Sequence, residues 1–278
     1  MILEIFKFVI YLIIIIVISK YILVKTLRSL AESLNLKSKN VGKIAGYATS
    51  MPELLTVTIS SFKGLSIAGI YNIVSSNVIN LVQYFISIFA NKNQRVFENK
   101  AIKVILSLAV FTILIPLFII LFSIEINMTL VPLFVILYLL FSYINSNVHK
   151  LYLEDNEYEI LKAENKTKKN NIFITIKYTI YLIISGILLF VAGNLLGNTL
   201  ESLCNIFNVP EWCIGVLLGF ATSIPELITF FEAQKHHKKN KDSDEFLGIV
   251  EATNNLYTSN VLNLFVIQTI GILIVNIF

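Results

Sequence analysis

Gly46-Tyr-Ala-Thr-Ser-Met-Pro-Glu-Leu-Leu-Thr56 recurs later in the chain as Gly219-Phe-Ala-Thr-Ser-Ile-Pro-Glu-Leu-Ile-Thr229, identical at eight of eleven positions. A second block follows each copy: Ser76-Asn-Val-Ile-Asn-Leu81 matches Ser259-Asn-Val-Leu-Asn-Leu264 at five of six. Two matched blocks in the same order indicate an internal duplication. What the duplication builds depends on the medium around it and on how many crossings separate the copies.

The medium is lipid. Of 278 residues, 56% are hydrophobic and 14% charged, against about 45 to 50% and about 25% in soluble domains, and the mean hydropathy is +0.76. This excludes a soluble globule. Apolar runs predict eight membrane-spanning helices, near 5 to 24, 41 to 61, 65 to 90, 101 to 124, 129 to 145, 172 to 197, 213 to 234 and 247 to 277. The first run has no small-residue cleavage site behind it, so it is read as a retained helix and not a signal peptide. Residues 146 to 171, with five Lys and five acidic residues, read as a linker between a first half, 1–145, and a second half, 172–278.

If loops alternate sides, 19 of the 22 basic residues fall at or near one face, in Lys20 to Lys43, Lys92 to Lys103, Lys150 to Lys169 and Lys235 to Lys241. The positive-inside rule then places those loops, including 146–171, in the cytoplasm, with both termini outside in a multi-pass cell-membrane protein. The net charge of +4 thus describes orientation, and no nucleic-acid partner is implied; the partner is membrane lipid. His236 and His237, beside a lysine run, are expected to be solvated, and Cys204 and Cys213 to be inert packing and not a bridge.

The first repeat block lies on the second span and its copy on the seventh, five crossings later. An odd number of crossings inverts one half relative to the other, so the fold class is an all-α membrane protein of about eight helices in two inverted-topology repeats. Secondary transporters use this plan, with substrate held near the midplane between interrupted helices.

Glu53 and Glu226 are the acidic residues well inside predicted spans, where a charge costs about 3 kcal/mol even on insertion scales. Each follows a proline, and Pro52 and Pro225 lack the N–H that would bond the carbonyl four residues back, freeing the Ala48 and Ala221 oxygens. Thr49 and Thr222 precede each Glu by one helical turn, and Ser50 and Ser223 by three residues, so hydroxyls and carboxylate share a face if the helix persists. The third and eighth spans carry polar ladders at i, i+4, i+8: Asn72, Ser76 and Asn80, and Asn255, Ser259 and Asn263. Ser76, Asn80, Ser259 and Asn263 are candidate ligands, while Asn72, Asn255, Asn77 and Asn260 suit helix-to-helix glue equally well. An oxygen cage with two carboxylates suits hard cations such as Ca²⁺ or Na⁺. One Ca²⁺ balances the pair's −2 charge as well as two Na⁺ would, and competition for one carboxylate pair gives exchange.

These motifs resemble the sodium/calcium exchanger branch of the cation/calcium exchangers, over about residues 41 to 90 and 210 to 277. The resemblance implies that Glu53 and Glu226 bind both Ca²⁺ and Na⁺, that Thr49, Ser50, Thr222 and Ser223 add hydroxyl or carbonyl oxygens, that Gly46 and Gly219 occupy backbone-carbonyl positions, and that Ser76, Asn80, Ser259 and Asn263 complete the sites. It implies a sliding gate formed by Ile5 to Val24 and Ile172 to Gly197. The transported ions are Ca²⁺ and Na⁺, with no cofactor. The chain departs from the family at Ala48 and Ala221, and at Ser75 and Thr258, where glycine is common, which bears on helix approach. Asn263 stands where several relatives have Asp, which bears on potassium co-transport. Relatives usually have ten helices and this chain has eight, so the second half is expected to be shortened, with a homo-oligomer as one way to replace the scaffold. Alternative readings are a Ca²⁺/H⁺ exchanger and a truncated, non-transporting subunit; an enzyme is set aside because the spans hold no His and no zinc-ligand pair.

Overall fold

A computed structural model describes residues 2–34, 36–62, 64–164, 172–239 and 245–277, and every regular element among them is helical. The order is α1 (Ile2–Val17), a π-helical turn (Ile18–Leu23), α2 (Val24–Ser33), α3 (Ser38–Thr49), α4 (Met51–Phe62), α5 (Ser66–Ala90), α6 (Lys100–Leu121) and α7 (Leu130–Glu164). The second half continues with α8 (Ile172–Phe207), α9 (Glu211–Thr222), α10 (Ile224–Lys239), α11 (Glu245–Leu262), a second π turn (Asn263–Ile267) and α12 (Gln268–Ile277).

Seven stretches among the described residues are long and apolar enough to cross a membrane, and they correspond to seven of the eight expected spans. The remaining one, at 41 to 61, is α3 plus α4, whose apolar character is diluted by Lys43, Glu53 and a series of Ser and Thr residues. The first span is longer than expected, running from Ile2 through the π turn to Ser33. α7 likewise continues past residue 145 to Glu164, while 165–171 of the predicted linker lie outside the described residues.

The two broken helices are interrupted at equivalent positions and in the same way. Ser50 ends α3 at φ −81°, ψ 4°, and Ser223 ends α9 at φ −80°, ψ 3°. Each is followed one residue on by the helix containing Pro52 or Pro225, whose missing N–H removes the bond that would have made the helix continuous. Each broken helix then straddles both repeats. α4 packs on its own ladder helix α5 and α10 on α11, whereas α3 lies along α11 and α9 along α5.

Glycine makes these crossings close. A Cβ added at Gly46 would fall 2.7 Å from Thr258 Cβ and 2.9 Å from the Asn255 carbonyl oxygen, and one at Gly219 would fall 2.7 Å from the Asn72 carbonyl oxygen and onto Ser75 Oγ. Gly42 and Gly215, one turn earlier, meet the facing helix as tightly. Both helices thus carry the Gly-x-x-x-Gly spacing that lets backbones approach in lipid. Ser75 and Thr258, where the family commonly has glycine, leave the approach intact because a glycine stands opposite each of them.

Apolar packing divides into two main bodies. One gathers Tyr84, Ile105, Phe134, Phe141, Phe230 and Phe265 around α5, α6, α7, α10 and α11, with the Phe141 and Phe265 rings 5.1 Å apart. The other joins Ile15, Leu23 and Leu27 of the first span to Leu189, Ala192 and Leu196 of α8, and closes over Ala48 and Ala221 at the helix breaks. The methyl groups of those two alanines, at the other positions where the family prefers glycine, therefore contact the pair of helices expected to slide. Cys213 is a free thiol; the side chain of Cys204 lies outside the described residues.

Gly219→Leu or Gly46→Leu drives a side chain into a facing backbone, at a cost of about 3 kcal/mol. The apparent melting temperature in detergent is expected to fall by roughly 6 °C or more. Gly186→Ala, where a Cβ meets nothing within 4 Å, is expected to leave it unchanged or slightly raised.

Candidate functional site

The breaks, the two carboxylates and the two ladders converge at the centre of the crossing. Glu53 and Glu226 are both completely buried, as are Thr49, Thr222, Ser223, Ser76, Asn80, Ser259 and Asn263, with Ser50 at 1% exposure. The two carboxyl groups are near enough to interact electrostatically. Each is flanked by hydroxyls from both halves: Glu53 by Ser76 and Thr222, Glu226 by Ser259 and Thr49.

The direction of each hydroxyl proton determines what the cage offers. Thr49 Oγ1 donates to the Ala45 carbonyl at 2.9 Å and Thr222 Oγ1 to the Leu218 carbonyl at 3.0 Å. Both hydroxyls thus bond back along their own helices while flanking the carboxyl groups. Ser76 Oγ donates to Asn72 Oδ1 at 3.3 Å or to the Gly219 carbonyl at 3.4 Å. Gly46 and Gly219 also accept backbone bonds from Ser50 and Ser223, each at 3.2 Å. Ser259 donates to Glu226 Oε1 at 3.0 Å, so its 2.8 Å contact with Ser50 Oγ makes Ser50 the donor there. A hydroxyl of the first repeat thus orients one carboxylate oxygen of the second.

Acceptors remain. Both Glu53 oxygens, Glu226 Oε2, Asn80 Oδ1, Asn263 Oδ1 and Ser223 Oγ are buried without a hydrogen-bond partner. Five of these six atoms belong to two equivalent residue pairs, Glu53 with Glu226 and Asn80 with Asn263. Orphaned buried acceptors cost on the order of 1 to 3 kcal/mol each, and more when charged. A cation removes that cost; a polar substrate that brings its own acceptors does not. Among the described residues no three His, Cys, Asp or Glu side chains gather, so the donor set is the hard-oxygen kind.

The remaining ladder amides hold helices. Asn72 Nδ2 donates to Thr56 Oγ1 and Asn255 Nδ2 to Thr229 Oγ1, both at 2.5 Å, tying each ladder to its own broken helix. Asn77 Nδ2 donates to the Asn260 carbonyl at 3.2 Å and Asn260 Nδ2 to the Asn77 carbonyl at 3.1 Å. That reciprocal pair marks the pseudo-two-fold axis. Two further bonds cross it, Asn80 Nδ2 to Asn260 Oδ1 and Asn263 Nδ2 to Asn77 Oδ1, each at 3.1 Å. The Asn80 and Asn263 amide nitrogens are thereby engaged, while their oxygens stay without a partner.

Thr56 and Thr229 end the quoted repeat and were not singled out by their spacing, although their recurrence was visible. A further cluster lay beyond local pattern. Glu251, at 4% exposure, accepts from Arg28 at 2.5 Å and lies 3.5 Å from His237 Nε2. His237 is therefore packed against a carboxylate and not solvated, because α10 delivers it to α11 in the folded protein. α8 reaches the break itself: a Cβ at Gly193 would lie 3.4 Å from Pro52 Cβ.

Comparison with known proteins agrees with this architecture. Solved structures of the sodium-calcium exchanger NCX_Mj match 98% of this chain at 21% identity. The match to crystals soaked with 10 mM Na⁺ and 10 mM Sr²⁺ has a TM-score of 0.62 and covers 82% of that chain; with 10 mM Na⁺ and zero Ca²⁺ the values are 0.61 and 83%. A structure soaked with zero Na⁺ and Ca²⁺ matches at 0.53. No curated protein matches by sequence. The family described as sodium/calcium exchanger protein matches residues 5–147 and 177–277, thus both repeats and most of the chain. This all-α, multi-pass membrane chain belongs to the sodium/calcium exchanger protein family of transporters.

Proposed function

We propose that the protein is a secondary active antiporter exchanging Ca²⁺ for Na⁺ by alternating access at the Glu53/Glu226 cage. The observation that carries this reading is the set of orphaned acceptors, two carboxylates and two amide oxygens in equivalent pairs, buried in a membrane interior. Thr49, Ser50, Thr222, Ser223, Ser76 and Ser259 supply hydroxyl or carbonyl oxygens around them, with Gly46 and Gly219 contributing carbonyls. Two ionised Glu are neutralised by one Ca²⁺ or by two Na⁺, so the two loads exclude each other. With both carboxyl groups ionised, an empty cage would hold two like charges in low dielectric. Rearrangement of the gate, the first span with α8, is then favoured only with a load, and that restriction makes the protein an exchanger and not a leak. The sidedness of Lys and Arg supports a cell-membrane orientation with both termini outside, a 146–171 linker in the cytoplasm, and repeats at 1–145 and 172–278.

In proteoliposomes with an outward Na⁺ gradient, the wild-type chain is expected to accumulate radiolabelled calcium, and the Glu53→Gln, Glu226→Gln double variant to fall to the vesicle background. Uptake that ignores Na⁺ and follows a pH gradient instead would contradict the sodium reading and favour Ca²⁺/H⁺ exchange. No uptake from well-folded wild type would favour a non-transporting subunit.

In calcium-chelated, sodium-free detergent, Glu53→Gln and Glu226→Gln should each raise the melting temperature, by roughly 2 to 6 °C, because each replaces a buried carboxyl group short of donors with an amide that brings its own. Calcium should stabilise the wild type and leave the double variant unmoved. A lower melting temperature in the variants would mean that the carboxylates are already satisfied.

A further inference from the structure

A cleft outside the ion cage lies between the π turn with α2 on one side and α10 on the other. It encloses about 430 Å³, within the roughly 300 to 1,000 Å³ of small-molecule sites. Its walls are basic: Lys20, Lys25 and Arg28 from the first span, Lys235 and His236 from α10. Two of these charges are compensated. Arg28 bonds Glu251 at 2.5 Å and Lys235 lies 3.8 Å from Glu232, the acidic residue of the lining. Lys20 and Lys25 have no acidic partner among the described residues. Both ammonium groups instead lie near the Tyr21 ring, at 5.6 and 5.5 Å from its centroid.

The approach to this cleft is apolar. Ile13, Val17 and Tyr21 are about half exposed, at 53%, 45% and 54%, and recur every four residues along the first span. The π turn then carries the same edge from Tyr21 to Lys25. An apolar stripe thus leads to an aromatic ring between two uncompensated ammonium groups at the end of a membrane span. That sequence of surfaces fits an amphiphile whose tails follow Ile13 and Val17 and whose anionic head enters the cleft, as basic pockets between membrane helices do.

We infer that this cleft is a binding site for an anionic phospholipid headgroup, held by Lys20 and Lys25 with Tyr21 at the interface. The site joins α10, which carries Glu226, to the first span, so an occupied cleft ties the gate to the ion-binding core. Arg28, held by Glu251, forms the floor and keeps the α2 wall against α11.

The binding test is independent of transport. Full-length protein in mild detergent is titrated with phosphatidylglycerol or phosphatidylcholine and read by native mass spectrometry. Phosphatidylglycerol is expected to bind in preference, and Lys20→Gln with Lys25→Gln to weaken it by about tenfold or more. Lys177→Gln, an interfacial lysine also beside tyrosine rings but outside the cleft, should leave binding unchanged. Equal binding of the two lipids, or binding insensitive to the double variant, would overturn the inference. Displacement of the lipid by millimolar inorganic phosphate would also overturn it and assign the cleft to a soluble anion. Because no readout involves Ca²⁺ or Na⁺ flux, failure here leaves the exchange proposal standing, and failure of exchange leaves this one standing.

Discussion

A carboxylate without a partner, sealed from water inside a membrane protein, is among the costlier things a helix bundle can hold. This fold holds two carboxyl groups close enough to interact, Glu53 with neither oxygen partnered and Glu226 with one, and the surrounding structure is arranged to keep them so. The helix breaks at Ser50 and Ser223 bring each Glu to the start of a new helix, where backbone N–H groups are unpaired. Thr49 and Thr222 bond back into their own helices and stand beside the two carboxyl groups. The Asn77 and Asn260 pair fixes the two ladders across the axis, and so fixes which way the Asn80 and Asn263 oxygens point. Without the glycines at 46 and 219, α3 and α9 would stand too far from the opposite ladders for the halves to share one cage.

The halves are similar without being identical, and the differences fall at the cage. Ser50 is engaged with Ser259, whereas its equivalent Ser223 has no partner. Glu226 has one oxygen held and Glu53 has none. Asn80 lies in regular α-helix, but Asn263 opens a π turn, the kind of local widening that recurs at functional sites. The two carboxyl groups are therefore in unequal surroundings. Under the proposed exchange, the less encumbered Glu53 would follow the cargo while Glu226 stays oriented.

Much of this was legible in the sequence because duplication repeats a signal that single residues give weakly. Two copies of Thr-Ser-x-Pro-Glu marked the breaks, the carboxylates and the inversion, and the eight apolar runs marked the spans. The Gly-x-x-x-Gly spacings at 42 and 46 and at 215 and 219 were equally visible, but their meaning depends on which helix faces them. The pairing of Asn77 with Asn260, and the docking of Glu251 against Arg28 and His237, join residues far apart in the chain whose contact no local periodicity records. The π turns escaped for a similar reason: tertiary packing sets where a helix takes an extra residue.

The central claim is that one carboxylate pair serves both cations, and equilibrium binding tests it most directly. Calcium affinity of the purified protein is measured by calorimetry at increasing Na⁺ with ionic strength held constant. The expected result is competition, with the apparent Kd for Ca²⁺ approaching a rise with the square of Na⁺ concentration at high Na⁺, since two monovalent charges replace one divalent ion. A calcium affinity independent of Na⁺ would contradict a shared site.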